Sequence, residues 1–365
     1  MSEAAAAVVR VATLTAWVLG TVAALLWTVP ATTAAEALEV SQPYRLSPNV
    51  APGESYMGIR LLGSVELANA SIDGLILGGL SGLAWDEDES RLYALSDAGA
   101  LFHLRPHFDN GHLVRAQLLA AFALRDQHGR ALEGLRADAE GLDLRHGNNG
   151  KTGDSLIAVS FERHPRIVLF KPDGRHVEAL RLPADLDDGE RYDSPNKGLE
   201  SLTWLPGTGF LTAPERPLKG AAEGIVSLFA LDGRSWHYPL LATRKASLVD
   251  MQALPDGGLL ALERGHGLMF LPIVISLHHT RPTADNVGRR LPVTTLAILD
   301  SSQGWSVDNF EGLTRHRRGT FFMVSDDNFS ALQKTLLVYF EPLNPGDPGN
   351  PGNSSEFELH HQIRR

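Results

Sequence analysis

The chain has 365 residues, 43% of them hydrophobic and 21% charged, which is enough for one large folded domain. Its formal net charge is −10 and it has no long basic stretch, which argues against nucleic acid as a partner. It contains no cysteine, so stability must come from the core, from closure of the fold or from metal. The 35 glycines and 21 prolines are typical of a turn-rich all-β protein.

The N-terminal residues carry a candidate export signal. Residues 11–29 contain no charge and follow Arg10, and the small-x-small sequence Ala35-Glu36-Ala37 comes soon after them. The uncharged run is also just long enough to span a bilayer. Residues 1–37 are therefore predicted to be a cleaved signal peptide or a retained membrane anchor, with a misread start of the chain as a third alternative. Either main alternative exports the folded part to the periplasm or the cell exterior, in solution or attached to the membrane through residues 11–29.

Two segments flank the predicted folded region. Residues 38–55 contain Pro43, Pro52 and Gly53 with few periodic apolar residues, and we expect a linker there. Residues 344–365 begin with a stretch rich in Pro, Gly and Asn that cannot bury a core, and we expect a flexible tail. The folded domain is expected to span residues 56–343 and to be a monomer.

A short phrase occurs five times in this region: a hydrophobic residue, Glu or a polar stand-in, a small residue, and Leu. Its copies are Leu80-Ser81-Gly82-Leu83, Ala139-Glu140-Gly141-Leu142, Leu199-Glu200-Ser201-Leu202, Met251-Gln252-Ala253-Leu254 and Phe310-Glu311-Gly312-Leu313. The spacings are 59, 60, 52 and 59 residues. Such a period, with several short apolar runs and turns in each unit, predicts an all-β propeller of four-stranded blades.

The ends of the repeat region predict how the ring closes. The last repeat lacks an evident fourth strand after Phe340, whereas residues 58–67 look like a strand and precede the first repeat. We expect this N-terminal strand to complete the last blade, because closure removes open sheet edges. Five phrases predict five blades. A sixth, degenerate blade within residues 271–309, which contain the apolar run 296–299, is the alternative.

A second phrase, containing an acid, follows each copy of the first. These second phrases are Ser96-Asp97, Phe161-Glu162-Arg163, Pro214-Glu215-Arg216, Leu262-Glu263-Arg264 and Ser325-Asp326-Asp327-Asn328. The first phrase opens strand one of a blade and the second closes strand two. Because antiparallel neighbours place these two ends together, the acids should gather at one mouth of the central channel, joined by Asp138 and Asp250.

Clustered carboxylates repel one another unless cations neutralise them or protons bind to them. One interpretation is a ring of ion pairs in which each Arg binds the acid of the next blade. The other, which we favour for the whole set, is a functional site. Hard oxygen ligands without cysteine indicate Ca²⁺ or Mg²⁺ as the cofactor. The metal ligands predicted in this way are Glu140, Glu200, Glu311, Asp97 and Asp326. The predicted catalytic residues are Glu200, Glu311, Glu215, Arg216, Glu263 and Arg264.

The phrases resemble the phytase-like family, named for the esterase-like activity of phytase. The similar segments are Ser81-Gly82-Leu83-Ala84-Trp85, Leu92-Tyr93-Ala94-Leu95-Ser96-Asp97, Asp138-Ala139-Glu140-Gly141-Leu142, Gly198-Leu199-Glu200-Ser201-Leu202, Leu260-Ala261-Leu262-Glu263-Arg264 and Asn309-Phe310-Glu311-Gly312-Leu313. The resemblance covers about residues 56–341. Ser81 and Gln252 depart from the pattern because each stands where a Glu is expected.

The resemblance implies an exported propeller with acids in its site and suggests phosphoester hydrolysis. The predicted function is therefore a metal-assisted hydrolase whose partner is a small phosphate or acyl ester. In this reading an Arg such as Arg216 or Arg264 neutralises the phosphate, and one carboxylate acts as the base. Two alternatives stay open. One is a propeller that binds a ligand or partner without catalysis, and the other is a metal-dependent lactonase or carboxylesterase.

Overall fold

The computed structural model describes residues 37–194, 196–241, 246–265 and 272–343. The predicted signal or anchor at residues 11–29 and the predicted tail at 344–365 lie outside these residues. Within the described part, no helix combines the length and apolar character needed to cross a bilayer. The one α-helix described is Ala184–Asp187, and the 3-10 helices are Gly134–Arg136, Gly189–Arg191, Ala284–Asn286, Ser301–Gln303 and Arg317–Gly319.

Five antiparallel sheets surround an axis; four of them run from an inner to an outer strand in chain order, and the fifth takes its outer strand from the N-terminal part of the chain. The inner strands of blades 1 to 5 are Leu80–Asp86, Ala139–Arg145, Leu199–Leu205, Ala246–Ala253 and Asn309–Arg315. The second strands are Arg91–Ser96, Leu156–Phe161, Gly209–Pro214, Leu259–Gly265 and Phe321–Asp326. The third strands are Ala100–Asp109, Arg166–Phe170, Ile225–Ala230, Val274–Thr280 and Thr335–Pro342. The fourth strands are His112–Ala123, His176–Leu180, Ser235–Pro239, Val293–Asp300 and Ile59–Leu67.

The predicted five-bladed propeller and its closing strand are confirmed. Ile59–Leu67 pairs antiparallel with Thr335–Pro342 and so supplies the fourth strand of blade 5. The alternative of a sixth blade is excluded, because Val293–Asp300, which contains the apolar run 296–299, pairs with Val274–Thr280 as the outer strand of blade 4. The N-terminal part of the chain therefore closes the ring in the same sheet as the last repeat.

Residues 38–55, which the sequence predicted to be a linker, pack against the propeller. Leu38–Glu39 pairs with the outer strand of blade 1, and Ser41–Pro43 pairs with the outer strand of blade 5. Val40, between these two short strands, is buried. The segment thus covers the outer edges of the two blades that meet at the closure, where an open edge would otherwise invite pairing with another chain. The remaining short strands are Ser55–Tyr56, Ser71–Ile72 and Leu75–Ile76.

Apolar side chains between neighbouring sheets form the core. Between blades 1 and 2, for example, Tyr93 and Leu95 pack in one cluster with Phe161 and Phe170, and all four are buried. Alternate residues of each strand point to opposite faces of the sheet, so each blade packs against both of its neighbours. This explains why the inner and second strands are apolar along most of their length and become polar at their ends.

The repeated phrase marks a β-bulge at the start of the inner strands. Each inner strand has one extra residue against its second strand, and the shift falls at the phrase in blades 1, 2, 3 and 5. The small third residue of the phrase lies where inner strands approach closely. A Cβ on Gly141 would lie 2.6 Å from the carbonyl oxygen of Glu200, and one on Gly82 would lie 2.7 Å from that of Glu140. Both contacts join the same two positions of the phrase in neighbouring blades, so the inner strands run in the same direction along the axis.

A second set of contacts locks the inner strands together one residue beyond the phrase. The side chains at this position, which we term the latch residues, are Asp143, Thr203, Gln252 and Thr314. Each accepts a hydrogen bond from a backbone N–H of the next blade. The donors are Trp204 at 2.6 Å, Ala253 at 3.0 Å, Arg315 at 3.3 Å and Trp85 at 3.1 Å. Blade 1 has Ala84 at this position and interrupts the series.

Candidate metal centre

The bulge places acidic side chains at the end of the ring where the inner strands begin. The bulged position carries Glu140, Glu200 and Glu311 in blades 2, 3 and 5. The end of the second strand lies beside it in each blade because the two strands are antiparallel. We call this end the acidic mouth; its acids are Asp97, Asp138, Glu140, Glu162, Glu200, Glu215, Glu311 and Asp326.

The closest approach occurs between blades 2 and 3. One carboxylate oxygen from each of Glu162, Glu200 and Glu215 lies within 4.8 Å of the other two. Asp138, Glu140 and Glu162 form a second group with the same spacing. Glu162 belongs to both groups, so five carboxylates from two blades form one continuous cluster. Oxygen ligands at this density are those that Ca²⁺ and Mg²⁺ prefer.

Two cations partly neutralise this cluster. Arg264 lies 3.4 Å from the Glu215 carboxylate and also ion-pairs with Glu311. Lys197 ion-pairs with the other oxygen of Glu215. Burial alone would raise the pKa of Glu215, but Arg264 and Lys197 hold that pKa below its usual range. Glu215 is therefore ionised at neutral pH.

The neighbouring acids have the opposite electrostatics. Burial, reinforced by Glu200, Glu311 and Glu162, raises the pKa of Glu140 well above its usual range. Burial and the nearby Glu215 do the same to the pKa of Glu200. Burial together with Asp138 raises the pKa of Glu162 to about 8. Within the described residues none of these three carboxylates has an ion-pair partner, so the ring of ion pairs considered from the sequence is not closed there.

Blades 1 and 5 supply the other half of the acidic mouth. Burial, followed by the charges of Glu311 and Asp138, raises the pKa of Asp97 to about 6. Burial and Glu311 raise the pKa of Asp326 to about 8. The amide of Asn309 donates to Glu311 at 3.0 Å and to Asp326 at 3.4 Å, and its oxygen accepts from Arg264 at 2.6 Å. Asn309 thus orders this half, a role that its position just before the fifth phrase did not reveal.

The burial and hydrogen bonding of Glu200 indicate whether a cation fits this cluster. Its residue is only 6% exposed, and its Oε2 makes no hydrogen bond within the described residues. A buried carboxylate oxygen without a partner costs free energy unless a proton or a metal binds to it. The Glu200 carboxylate belongs to the group that contains Glu162 and Glu215. The donor set therefore fits a hard divalent cation.

Of the acids predicted as metal ligands or catalytic residues, the structure brings together all but Glu263. Glu263 is fully buried in blade 4, where it accepts hydrogen bonds from the Tyr238 hydroxyl at 2.6 Å and from the Leu241 N–H. Its neighbour Arg264 occupies the position that Glu215 and Asp326 occupy in blades 3 and 5. Adjacent strand residues point to opposite faces, so Glu263 points away from the acidic mouth.

The fourth phrase is also displaced from its predicted register. The bulge of blade 4 lies between Leu248 and Asp250, so Val249 occupies the position of Glu200 and Glu311. Gln252, which the sequence analysis placed there, is a latch residue. Asp250 does not join the acidic mouth, because its carboxylate accepts from the backbone N–H of Leu313 at 2.6 Å between the inner strands. Blade 4 therefore contributes a cation in place of acids.

The arginines of the second phrases differ in their surroundings. Arg163 ion-pairs with Asp138 of its own blade at 2.7 Å. Arg264 instead bridges Glu215 of blade 3 and Glu311 of blade 5, as the inter-blade interpretation expected. Arg216 follows Glu215 directly and is half-buried. Lys197, which ion-pairs with Glu215 and has a 30% exposed side chain, gives one side of the acidic mouth a positive rim.

The comparisons with known proteins agree with this architecture. A family model described as "Phytase-like: Esterase-like activity of phytase" matches residues 76–329. No curated protein matches the chain. Among solved structures, the chain is similar to the β-propeller domain of Cps50 (Swd1) from Myceliophteria thermophila, with 12% identity, a TM-score of 0.37, and coverage of 82% of this chain and 98% of that one. It is also similar to the Dos1 propeller, with 9% identity, a TM-score of 0.32, and coverage of 76% and 72%. Similarities this distant carry no functional inference.

Proposed function

The chain belongs to the phytase-like family, and on that premise we propose that its acidic mouth binds a hard divalent cation, Ca²⁺ or Mg²⁺, and hydrolyses a phosphate ester there. The observation that carries the proposal is the buried, unpartnered Glu200 oxygen beside Glu162 and Glu215. An ion-pair scaffold would leave no such oxygen. Clusters of repelling carboxylates persist where a ligand uses them.

The residues that would hold the cation are Glu162, Glu200 and Glu215, with Asp138 and Glu140 beside them. A bound cation would polarise a phosphoryl oxygen and offset the charge that develops on it. Glu215 is already ionised and can bind the cation without losing a proton. Glu162 and Glu200 release protons when the cation binds, since their carboxyls hold protons more tightly than usual.

The positive rim contributes to binding the ester. Lys197 and Arg264 lie against Glu215, and the side chain of Lys197 is 30% exposed. A phosphate that approaches the cluster therefore meets an ammonium group at its edge. Arg264 is almost completely buried, so its role is to hold Glu215 and Glu311 in place.

Asp97 is suited to accept a proton from the attacking water. It is half-buried, lies outside the two closest carboxylate groups, and has its pKa raised to about 6. A general base works best when its pKa is near the operating pH. An Asp with a pKa near 6 is mostly ionised at neutral pH and is a stronger base than an ordinary carboxylate.

Hydrolysis of para-nitrophenyl phosphate and para-nitrophenyl acetate by the purified chain tests this proposal. Each assay is run with chelator and then with Ca²⁺ or Mg²⁺ restored. We expect cation-dependent release from the phosphate ester, lost in Glu200→Gln and kept in Glu263→Gln. Release from the acetate alone would replace the phosphoesterase with a carboxylesterase. Cation binding without hydrolysis of either ester would favour the non-catalytic propeller.

Export of the folded part is proposed along with this function and rests on residues 11–29 alone. Cell fractionation with an antibody to the propeller tests it: we expect the chain in the periplasmic, secreted or membrane fraction. Recovery in the cytoplasm would overturn it.

A further inference from the structure

The opposite end of the inner strands forms a second site, which differs in character from the acidic mouth. A cleft of about 990 Å³ lies there, lined by residues from all five blades. We call this end the basic mouth; its defining residues are Trp85, His146, Trp204, Arg315, Arg317 and Arg318. A volume of this size lies within the range of small-molecule sites, roughly 300–1,000 Å³.

The latch residues separate the two mouths. Thr203, Gln252 and Thr314 are buried between the inner strands, and each is hydrogen-bonded to the next blade. Asp250 fills the same zone nearer the acidic mouth. A ligand in the basic mouth therefore does not reach the carboxylates of the acidic mouth, and the two sites can be tested independently.

The basic mouth has more positive than negative charge, since three arginines and two carboxylates, Glu87 and Asp143, line it. Arg317 is neutralised by Glu87, whose two carboxylate oxygens accept from its Nε at 2.8 and 2.7 Å. Arg315 and Arg318 line the same cleft, and within the described residues their side chains make no hydrogen bond or ion pair. Arg318 has a φ of 55°, a left-handed conformation that is costly for a residue with a Cβ. The loop is held in this conformation with a guanidinium group at the cleft.

Two indole rings line the same cleft, each with a guanidinium group over one face: Arg317 lies 5.4 Å from the ring centre of Trp85, and Arg145 lies 5.4 Å from that of Trp204. Trp204 is 38% exposed, which is unusual for the largest apolar side chain. Trp85 is half-buried, and its Nε1 donates to Glu87 at 2.7 Å. The exposed amide side chain of Asn148 also lines the cleft. The basic mouth thus combines guanidinium groups for an anion, indole surfaces for a ring, and an amide for hydroxyl groups.

From this combination we propose that the basic mouth binds an anionic sugar. Arg315 and Arg318 bind its phosphate or carboxylate group, because a planar guanidinium matches both anions with paired hydrogen bonds. Trp204 packs against the apolar face of the sugar ring. Asn148 donates to and accepts from its hydroxyl groups. This site is separate from the proposed metal centre and does not depend on hydrolysis.

Calorimetric titration of the chelator-treated chain with glucose 6-phosphate, glucuronate and glucose tests the proposal. Chelator keeps the acidic mouth free of cations, so binding reports on the basic mouth. We expect one molecule of glucose 6-phosphate or of glucuronate to bind, with glucose at least tenfold weaker. The stronger of the two anions identifies whether phosphate or carboxylate is the natural group.

Variants assign the binding to named residues. We expect Arg315→Gln and Arg318→Gln each to weaken the anionic sugar at least tenfold, while Arg105→Gln, an exposed arginine of blade 1, and Glu200→Gln leave it unchanged. Thermal melting confirms that each variant is folded. Absence of binding by both anions, equal binding of glucose, or retention of binding in both arginine variants would overturn the proposal. A failed phosphatase assay would not affect it.

Discussion

Arg264 of blade 4 ion-pairs with Glu311 of blade 5, across the boundary between two blades. The same guanidinium also contacts Glu215 of blade 3, so one cation joins three blades at the acidic mouth. Arg264 occupies the position that an acid occupies in the other four blades. The acidic mouth is therefore asymmetric: its most closely spaced carboxylates lie in blades 2 and 3, where Glu215 contacts the arginine.

Removal of the Arg264 guanidinium should strongly destabilise the fold. Arg264→Met leaves Glu215 and Glu311 buried with less compensation, and breaking a buried pair from one side costs about 3–5 kcal/mol. Denaturant unfolding of the chelator-treated chain measures the loss. Arg163→Gln is the matched control, because its ion pair with Asp138 is more exposed and should contribute under about 1 kcal/mol. Equal small losses in both variants would contradict the bridging role of Arg264.

Glu200→Gln should stabilise the metal-free chain. At alkaline pH the ionised Glu200 is buried among like charges, and a neutral amide of the same shape removes that repulsion, worth about 1 kcal/mol. At alkaline pH, the melting temperature of the chelator-treated variant should then exceed that of the chelator-treated wild type. Glu263→Gln, which weakens hydrogen bonds from Tyr238 and Leu241, should lower it. A Glu200→Gln variant that melts below the wild type in chelator would show that the carboxylate is compensated.

The latch residues should contribute to stability individually. Thr314→Val leaves the part-buried Trp85 N–H without this acceptor, at a cost of about 1–3 kcal/mol. Thr294→Val, on an exposed part of the outer strand of blade 4, should change the free energy of unfolding by less than about 0.5 kcal/mol. Urea unfolding of the two variants provides the comparison, and equal effects would argue against the latch.

His103 should make stability depend on pH. Burial and the nearby Arg91 lower its pKa to about 4, while its Nε2–H donates to the Pro172 carbonyl at 2.8 Å. Below a pH of about 6.5 this imidazole is protonated in the unfolded chain but stays neutral in the folded chain. The free energy of unfolding therefore falls as the pH drops from about 6.5 to about 4, by up to ~3 kcal/mol. His103→Gln should flatten this part of the melting profile, whereas the exposed His128→Gln should not. An unchanged profile in His103→Gln would assign the pH dependence to other groups.

Most of the fold could be predicted from the sequence because each repeat contains apolar strand segments separated by recognisable turn residues. The sequence predicted the site less completely in blade 4, where residues Met251 to Leu254 match the phrase but begin three residues after Leu248, the true equivalent of its first position. A positional signal was present. Leu199 stands seven residues before the turn residue Pro206, and Leu248 stands seven before Pro255.

The number of residues after these turn prolines also indicates that Glu263 is not a site residue. Glu215 lies nine residues after Pro206, and Arg264 lies nine after Pro255. In a strand, a shift of one residue moves a side chain to the opposite face, so this difference decides which residue reaches the acidic mouth. The roles of Asn309 and Lys197 could not be counted in this way, because they depend on which side chains of neighbouring blades meet.

Calorimetric titration of Ca²⁺ and Mg²⁺ into the chelator-treated chain and its Glu200→Gln and Glu263→Gln variants is the most direct test of the proposed metal centre. The two variants make the same substitution in neighbouring blades, one at the acidic mouth and one away from it. We expect the wild type and Glu263→Gln to bind at least one of the two cations, and Glu200→Gln to bind it at least tenfold more weakly. No binding of either cation by the wild type, or equal binding by all three proteins, would contradict this proposal.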